Sequence, residues 1–309
     1  MKLCVQTGDV VDRLGLEKGY AAIKEAGFEA IDWNLDHAWH SSDIREKIYR
    51  GKCIFEKSLD EVIAHYSQEL EIIRANSLFI TQAHAPFPAY SRGDPEFLDY
   101  AIEVYKRNIE YCDYAQCKNL VIHGIPFALD NGLGTREEVR EMNIKLYSSL
   151  IPVLKNTNVT VCLENLFTNH NGVCYQGNCG YPGEAAEYID MFNDMAGKEA
   201  FGLCLDTGHL NLLHHDFAVY VPTLGSRIKC LHIHDNNGVS DKHLAPCTGT
   251  IDWNRFCDSL KEIGYKGDLD FETFAQTNAA LAFDEKAVLP WLRLIKETGE
   301  IMRDKILSK

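Results

Sequence analysis

Six short apolar runs in this sequence end on residues that can ligate a metal or move a proton. Gln82-Ala83-His84, Val121-Ile122-His123, Cys162-Leu163-Glu164, Leu205-Asp206 followed by Thr207-Gly208-His209, Leu231-His232-Ile233-His234 and Asp270-Phe271-Glu272 each carry an imidazole or carboxylate at the end of a strand-like stretch. Taken singly, a strand-end His hydrogen-bonds a nearby loop, and a lone Asp or Glu caps the next helix. Taken together, such groups around one low-dielectric mouth cost on the order of several kcal/mol per uncompensated charge, and a divalent cation offsets that cost most economically. The pattern therefore points to a metal centre. Its mixed nitrogen and oxygen donors suit one divalent ion, with manganese the first expectation and cobalt, magnesium or zinc the alternatives, and they exclude a thiolate site.

The elements that position these residues alternate along the whole chain. Candidate strands run Leu3 to Thr7, Ala30 to Asn34, Leu78 to His84, Asn119 to His123, Val159 to Glu164, Phe201 to Asp206, Ile228 to His232 and Asp268 to Glu272, with longer amphipathic stretches between them. Ser58-Leu59-Asp60-Glu61 forms a capping box, and Asp94-Pro95 offers an N-cap followed by a first-turn proline. After Pro95, residues Phe97, Ala101, Val104, Tyr105, Tyr111, Cys112 and Ala115 share one helical face, while Lys106, Arg107 and Glu110 lie elsewhere. Eight strand-helix units without a composition break predict an α/β fold: a (β/α)8 TIM barrel, one domain over residues 1–309. Its active face lies at the strand C-termini, where two long segments fall: Asp36 to Lys57, and Phe167 to Tyr181. Trp33, Trp39, Phe87 and Tyr175 are candidate apolar walls or core residues.

Composition narrows the partners. The 31 Lys and Arg against 45 Asp and Glu give a net charge of −14, which disfavours polyanions, so neither nucleic acid nor a membrane is expected as a partner. The first residues break at Asp9, too short an apolar stretch for a signal peptide, and a cytoplasmic location is expected. The 11 cysteines form no CxxC pair and read as reduced, structural thiols. Lys47, Arg50, Lys52 and Lys57 after strand two are a solvated face before they are a phosphate site, and Gly132-Leu133-Gly134 before Thr135 is a turn and N-cap rather than a nucleotide cradle.

These motifs resemble the xylose isomerase-like barrel superfamily of sugar isomerases and epimerases, which also includes the endonuclease IV group. The run Asp206 to His209 and the segment LHIHDNNGVSDKHLAPCTGTIDW are the most specific parts of the resemblance. The resemblance implies one divalent ion held by Glu164, Asp206, His232 and Glu272. His234 competes with His232, because the two share a strand face. It also implies that His209 contacts a substrate oxygen. His84, His123, Asp241 and His243 complete a match to the nine ligands with which endonuclease IV binds three zinc ions. The acidic balance and the lack of a basic, aromatic-rich stretch favour sugar chemistry over that alternative.

The expected substrate is a small open-chain sugar, and a homo-oligomer is expected. The ion would acidify a C–H beside the carbonyl by stabilising an enediolate, with Glu164 and Glu272 as the acid/base pair and His209 steadying the oxygen where charge develops. A lyase acting through the same proton abstraction, or a non-catalytic subunit, are the remaining alternatives.

Overall fold

The computed structural model describes residues 1–35, 39–127 and 135–308, without the side chain of Ser41. Asp36 and the Gly132-Leu133-Gly134 turn lie outside the described residues. Among the described residues there are ten strands: β1 (Leu3–Gln6), β2 (Ala30–Asn34), β3 (Phe79–His84), β4 (Asn119–Val121), β5 (Thr160–Glu164), β6 (Phe167–His170), β7 (Val173–Gln176), β8 (Phe201–Asp206), β9 (Ile228–His232) and β10 (Leu269–Phe271). All but β6 and β7 belong to one eight-stranded sheet with helices between successive strands, so the fold is a (β/α)8 TIM barrel. The strands expected from sequence are these eight, with ends that agree to within two residues.

The chain forms two compact units, one of Met1–Trp33, Gln68–Thr81 and Cys204–Lys309, the other of Asn34–Ser67 and Gln82–Leu203. In the first, β1 lies between β10 and β2, with Cys4 opposite both Asp270 and Ala30 in parallel register. Beyond β9, the Ile233 N–H donates to Asp270 O (2.8 Å) and the Glu272 N–H donates to Ile233 O (3.1 Å), which ties β9 to β10. The helix Leu16–Ala26 stops at Gly27, whose φ of +97° is open to glycine without strain and lets its N–H reach the carbonyls of Ile23 and Lys24. The last helix, Val288–Leu307, buries Val288, Leu292, Ile295, Gly299, Met302 and Ile306, a stripe at the helical period. A Cβ on Gly299 would meet the Phe271 ring at 2.8 Å, so that glycine allows the helix its close approach to β10.

In the second unit β4 lies between β3 and β5, with Gln82 opposite Asn119 and Asn119 opposite Thr160. The helix Phe97–Tyr114 buries the face expected for it, and each fully buried Phe or Val there contributes about 1.5–3 kcal/mol before entropy is counted. It starts later than Asp94-Pro95 suggests. Asp94 pairs through its backbone with Ser91, its carboxylate accepts from the Tyr49 hydroxyl (2.9 Å), and the helix has Glu96 at its N-cap with no side-chain cap. Trp39 is buried against Phe97, Tyr100 and Tyr105 and donates to Phe87 O (2.7 Å). It is core, not a site wall. The segment after β5 is a two-stranded antiparallel hairpin, β6 and β7, turning at Asn171 and Gly172. Both turn residues have positive φ, as the type I′ turn requires.

All 11 cysteines are thiols, and all but Cys174 and Cys247 are buried. No helix among the described residues is long and apolar enough to cross a membrane.

Candidate active site

Each strand-end residue is held by its own backbone before it meets a partner. In the second unit His84 ends β3 and Glu164 ends β5, both buried, and His123 lies just beyond β4, partly open. His84 Nδ1 lies 2.8 Å from the Ala85 carbonyl. A carbonyl only accepts, so that nitrogen carries the proton and Nε2 presents a lone pair. This Nε2 is 3.0 Å from His123 Nε2, which is 2.9 Å from Glu164 Oε2, and His84 Nε2 to Glu164 Oε2 closes the triangle at 3.9 Å. Donors at about 2.0–2.2 Å from one zinc-sized ion would stand at such separations from each other. Phe87, 42% exposed, covers the two imidazoles with ring centroids 5.3 and 4.9 Å away.

In the first unit Asp206 does two jobs. It is the N-cap of the short helix Thr207–Leu212, accepting from the His209 N–H (2.6 Å), and its other oxygen lies 3.0 Å from His234 Nε2. His209 Nδ1 lies 3.6 Å from Asp206 and its Nε2 3.5 Å from Asp241. Asp241 also pairs with His243 Nε2 (3.2 Å), whose ring stacks on His234 at 3.9 Å between centroids. His243 Nδ1 lies 3.1 Å from the Glu272 carbonyl oxygen and 3.6 Å from its carboxylate. Gly208 is obligatory here, since a Cβ would meet His234 Cε1 at 2.0 Å.

His232 sits one strand repeat before His234 and faces other partners. Its Nδ1 is 3.6 Å from Glu272 Oε2 and its Nε2 is 3.3 Å from Asp32 Oδ2. Asp32, His232 and Glu272 each present one ligand atom within 4.8 Å of the others, as do Asp206, His209 and His234, and His234, Asp241 and His243. Thus His232 meets Glu272, while the imidazoles against Asp206 are those of His209 and His234.

The electrostatics follow from burial and from these pairs. Burial pushes the Asp270 carboxyl well up, and the charge of Asp32 adds to the effect. Burial also lowers the His234 imidazole against the pull of Asp206. For His243 burial works the same way but is outweighed, and the hydrogen bond to Asp241 with the charges of Glu272, Asp241 and Asp206 raises it to about 9. Burial opposes ionisation of Asp241 too, but hydrogen bonds from His209 and His243 hold its carboxyl well below the usual range.

Sequence reasoning missed Asp32 and Asp270, which are fully buried in β2 and β10. It also missed what fixes the loop after β9. Asp235 accepts from Gly249 N (3.0 Å), Ile251 N (3.2 Å) and Trp253 Nε1 (3.0 Å). A Cβ on Gly249 would meet Asn236 O at 2.2 Å. Much of the motif from His232 to Trp253 thus shapes a loop. Trp33 is buried, donating to Glu69 (3.0 Å), whereas Tyr175 on the hairpin is exposed.

The sequence profile of a family described as xylose isomerase-like TIM barrel matches residues 20–303. Over 278 residues the chain is 24% identical to uncharacterized protein y4fM of Sinorhizobium fredii, a match covering 84% of this chain and 81% of that one. A match of 25% identity over 126 residues covers 41% of this chain and 39% of the D-psicose 3-epimerase of Enterocloster bolteae. Among solved structures, D-psicose 3-epimerase with D-tagatose from Clostridium cellulolyticum superposes with a TM-score of 0.69 at 16% identity, covering 98% of this chain and 99% of that one. At that identity the likeness is one of fold.

Proposed function

Because the chain belongs to the xylose isomerase-like TIM barrel family, we propose that it is a divalent-metal-dependent isomerase or epimerase of an open-chain sugar or sugar derivative. The observation that carries the reading is the grouping of strand-end carboxylates with imidazoles: Asp206, Glu272 and Glu164 all make their ion pairs with histidines. The relatives named as D-psicose 3-epimerases support the substrate class.

The donor set fits a divalent ion. It is hard oxygen plus imidazole, it is buried, and His232 with Glu272 offers ligand atoms 3.6 Å apart. Glu164, Asp206, His232 and Glu272 would hold the ion, with manganese the first candidate. When bound, it supplies Lewis-acid stabilisation of negative charge on the substrate's carbonyl and neighbouring hydroxyl oxygens. Glu164 and Glu272 serve as base and acid: one takes the proton from the carbon beside the carbonyl, the other returns a proton to the enediolate, and no atom is gained or lost. His209, held by Asp206 and Asp241, steadies the oxygen on which charge develops.

The test is incubation with ketoses and aldoses in D₂O plus Mn²⁺. Deuterium at the carbon next to the carbonyl is expected; a full panel without exchange overturns the reading. A second reading, metal-dependent phosphodiester cleavage, is favoured by the His84–His123–Glu164 triangle and by the pairing of Asp241 with His209 and His243. Three bound ions per chain with nicking of abasic duplex DNA would promote it, and one ion per chain favours sugar chemistry.

A further inference from the structure

Asp206 ends β8 with both carboxylate oxygens engaged: Oδ1 accepts the His209 N–H (2.6 Å), and Oδ2 is hydrogen-bonded to His234 Nε2 (3.0 Å). Asp206 and His234 are both 0% exposed. A carboxylate only accepts, so the ring nitrogen that faces it carries a proton. The other nitrogen, Nδ1, is buried and meets no hydrogen-bond partner among the described residues. Gly208 closes the Cε1 edge of the ring, where a Cβ would come within 2.5 Å of Nδ1, so an N–H at Nδ1 would be a buried donor left unsatisfied. His234 is therefore the neutral tautomer with its proton on Nε2. Asp241 Oδ1 stands 3.9 Å from the same nitrogen, too far to take that proton from Asp206.

We infer that His234 is the positioning residue of Asp206 and not a ligand: its Nε2–H holds Oδ2 while the His209 N–H holds Oδ1, which fixes the plane of the carboxylate for the ion. Each oxygen keeps room for the ion, because a carboxylate offers about four acceptor positions. The backbone beside the pair is clamped as well. Thr207 Oγ1 donates to His234 O (2.7 Å) and accepts from the His234 N–H (3.0 Å), which ties the residue after Asp206 to the one that orients it. The His234 ring also stacks on His243, with 3.9 Å between centroids and 12° between planes. Its orientation is thus set by protein contacts, as a group that orients a ligating carboxylate requires. The inference rests on the metal-centre reading above, and it divides the two histidines that share a strand face: His232 stays with Glu272, and His234 serves the ion through Asp206.

Three measurements that need no sugar separate this inference from the catalytic proposal. The tautomer of His234 in the metal-free protein is read by long-range ¹⁵N–¹H correlation at one fixed pH and assigned with a His234→Gln sample. Titration calorimetry gives Mn²⁺ affinity, and electron–nuclear double resonance on ¹⁵N-histidine protein counts the imidazole nitrogens bound to Mn²⁺. Wild type is expected to show a protonated Nε2. His234→Leu, which removes the donor, should weaken Mn²⁺ binding about 10- to 100-fold. His234→Gln, whose amide N–H reaches the place of Nε2–H, should bind Mn²⁺ more tightly than the Leu variant and with as many imidazole nitrogens as wild type. His234→Asn, too short to reach Asp206, is the loss variant to read if the Leu substitution does not fold. A protonated Nδ1 in wild type overturns the inference, as does wild-type affinity in a folded Leu or Asn variant, a loss that Gln does not restore, or one bound nitrogen fewer in the Gln variant. Wild type that binds no divalent ion would sink the metal-centre reading itself, and absence of deuterium exchange with intact metal binding would count only against sugar turnover.

Discussion

The group at the ends of β3–β5 sets two imidazoles against one carboxylate, whereas the residues at and beyond the ends of β8–β10, with Asp32 from β2, set four imidazoles against four carboxylates. In the first, His84 turns its Nδ1 to the Ala85 carbonyl, so its Nε2 faces His123 Nε2, which also pairs with Glu164. In the second, the hydrogen bond to Asp241 and the surrounding carboxylates raise the His243 imidazole against burial, whereas burial lowers that of His234, so charge is unevenly placed. Both groups hold their carboxylates by pairing them with imidazoles; they differ in that His84 and His123 share one carboxylate, whereas His209, His232 and His243 each lie between two.

The largest test of that contrast removes the carboxylate of the smaller group. Glu164→Gln is expected to lower kcat by about 10²- to 10⁴-fold, the range for a lost acid or base, and to weaken Mn²⁺ binding. Glu272→Gln should act in the same direction. Asp241→Asn, which takes one carboxylate from a group rich in them, should cost less than about tenfold in kcat. Equal losses for Glu164→Gln and Asp241→Asn in steady-state kinetics would remove the distinction between the acid/base glutamates and the carboxylate that only pairs with histidines.

Next in size is a steric break confined to the larger group. In Gly208→Ala the new Cβ would fall 2.0 Å from the His234 ring, which cannot move without leaving Asp206. Overpacking of this kind costs about 1–3 kcal/mol. A thermal midpoint lowered by several degrees is expected. An unchanged midpoint would mean that the His234–Asp206 pair is not held as tightly as its 3.0 Å separation implies.

How much of this could be read in the sequence depends on whether a feature is local. β2, β8 and β9 have the ends expected from apolar runs, because a strand buried on both faces writes its length directly into composition. The helix at Phe97 was legible by its face but not by its start, where Glu96 stands at the N-cap and Tyr49, 45 positions away in sequence, donates to the Asp94 carboxylate. The hairpin after β5 carried a usable signal, Asn171-Gly172 between residues of high β-propensity, that was read only as a long segment. Asp32 and Asp270 were invisible for a deeper reason. A carboxylate inside an apolar strand has no local signature of its partner, and His232 is supplied by a strand far along the chain. The pairings of His232 and His234 likewise needed coordinates, because residues two apart share a face without sharing neighbours.

A smaller effect is expected from pH. In the folded protein His243 titrates at about 9, above the ordinary imidazole value, so the stability it contributes is fully present below about pH 6.5 and is lost as pH rises through about 9. The depressed Asp241 carboxyl works in the other direction: its contribution is present above the usual Asp range and is lost as pH falls through and below it. Urea midpoints of the metal-free protein should hold level from the usual Asp range to about pH 6.5 and decline as pH rises from there toward 9. Asp241→Asn should flatten that decline, and Mn²⁺ affinity should rise over the same window as the proton leaves. A midpoint that climbs with pH to 9 would show that His243 is not stabilised as an imidazolium.

The smallest expected effect on stability comes from Phe87→Ala, at the mouth of the smaller group. The ring is 42% exposed, so its removal forfeits little burial and should change the urea midpoint slightly, by an amount equivalent to less than about 1 kcal/mol. Its position over His84 and His123 gives it a different use, since an apolar face beside polar strand ends suits the C–H face of a sugar. Contact of that kind acts on the ground state and transition state alike, which raises KM and leaves kcat nearly unchanged when it is lost. A severalfold rise in KM with kcat within about twofold is therefore expected. If kcat falls instead, the ring orients the imidazoles beneath it, and the smaller group takes part in the chemical step rather than in holding substrate.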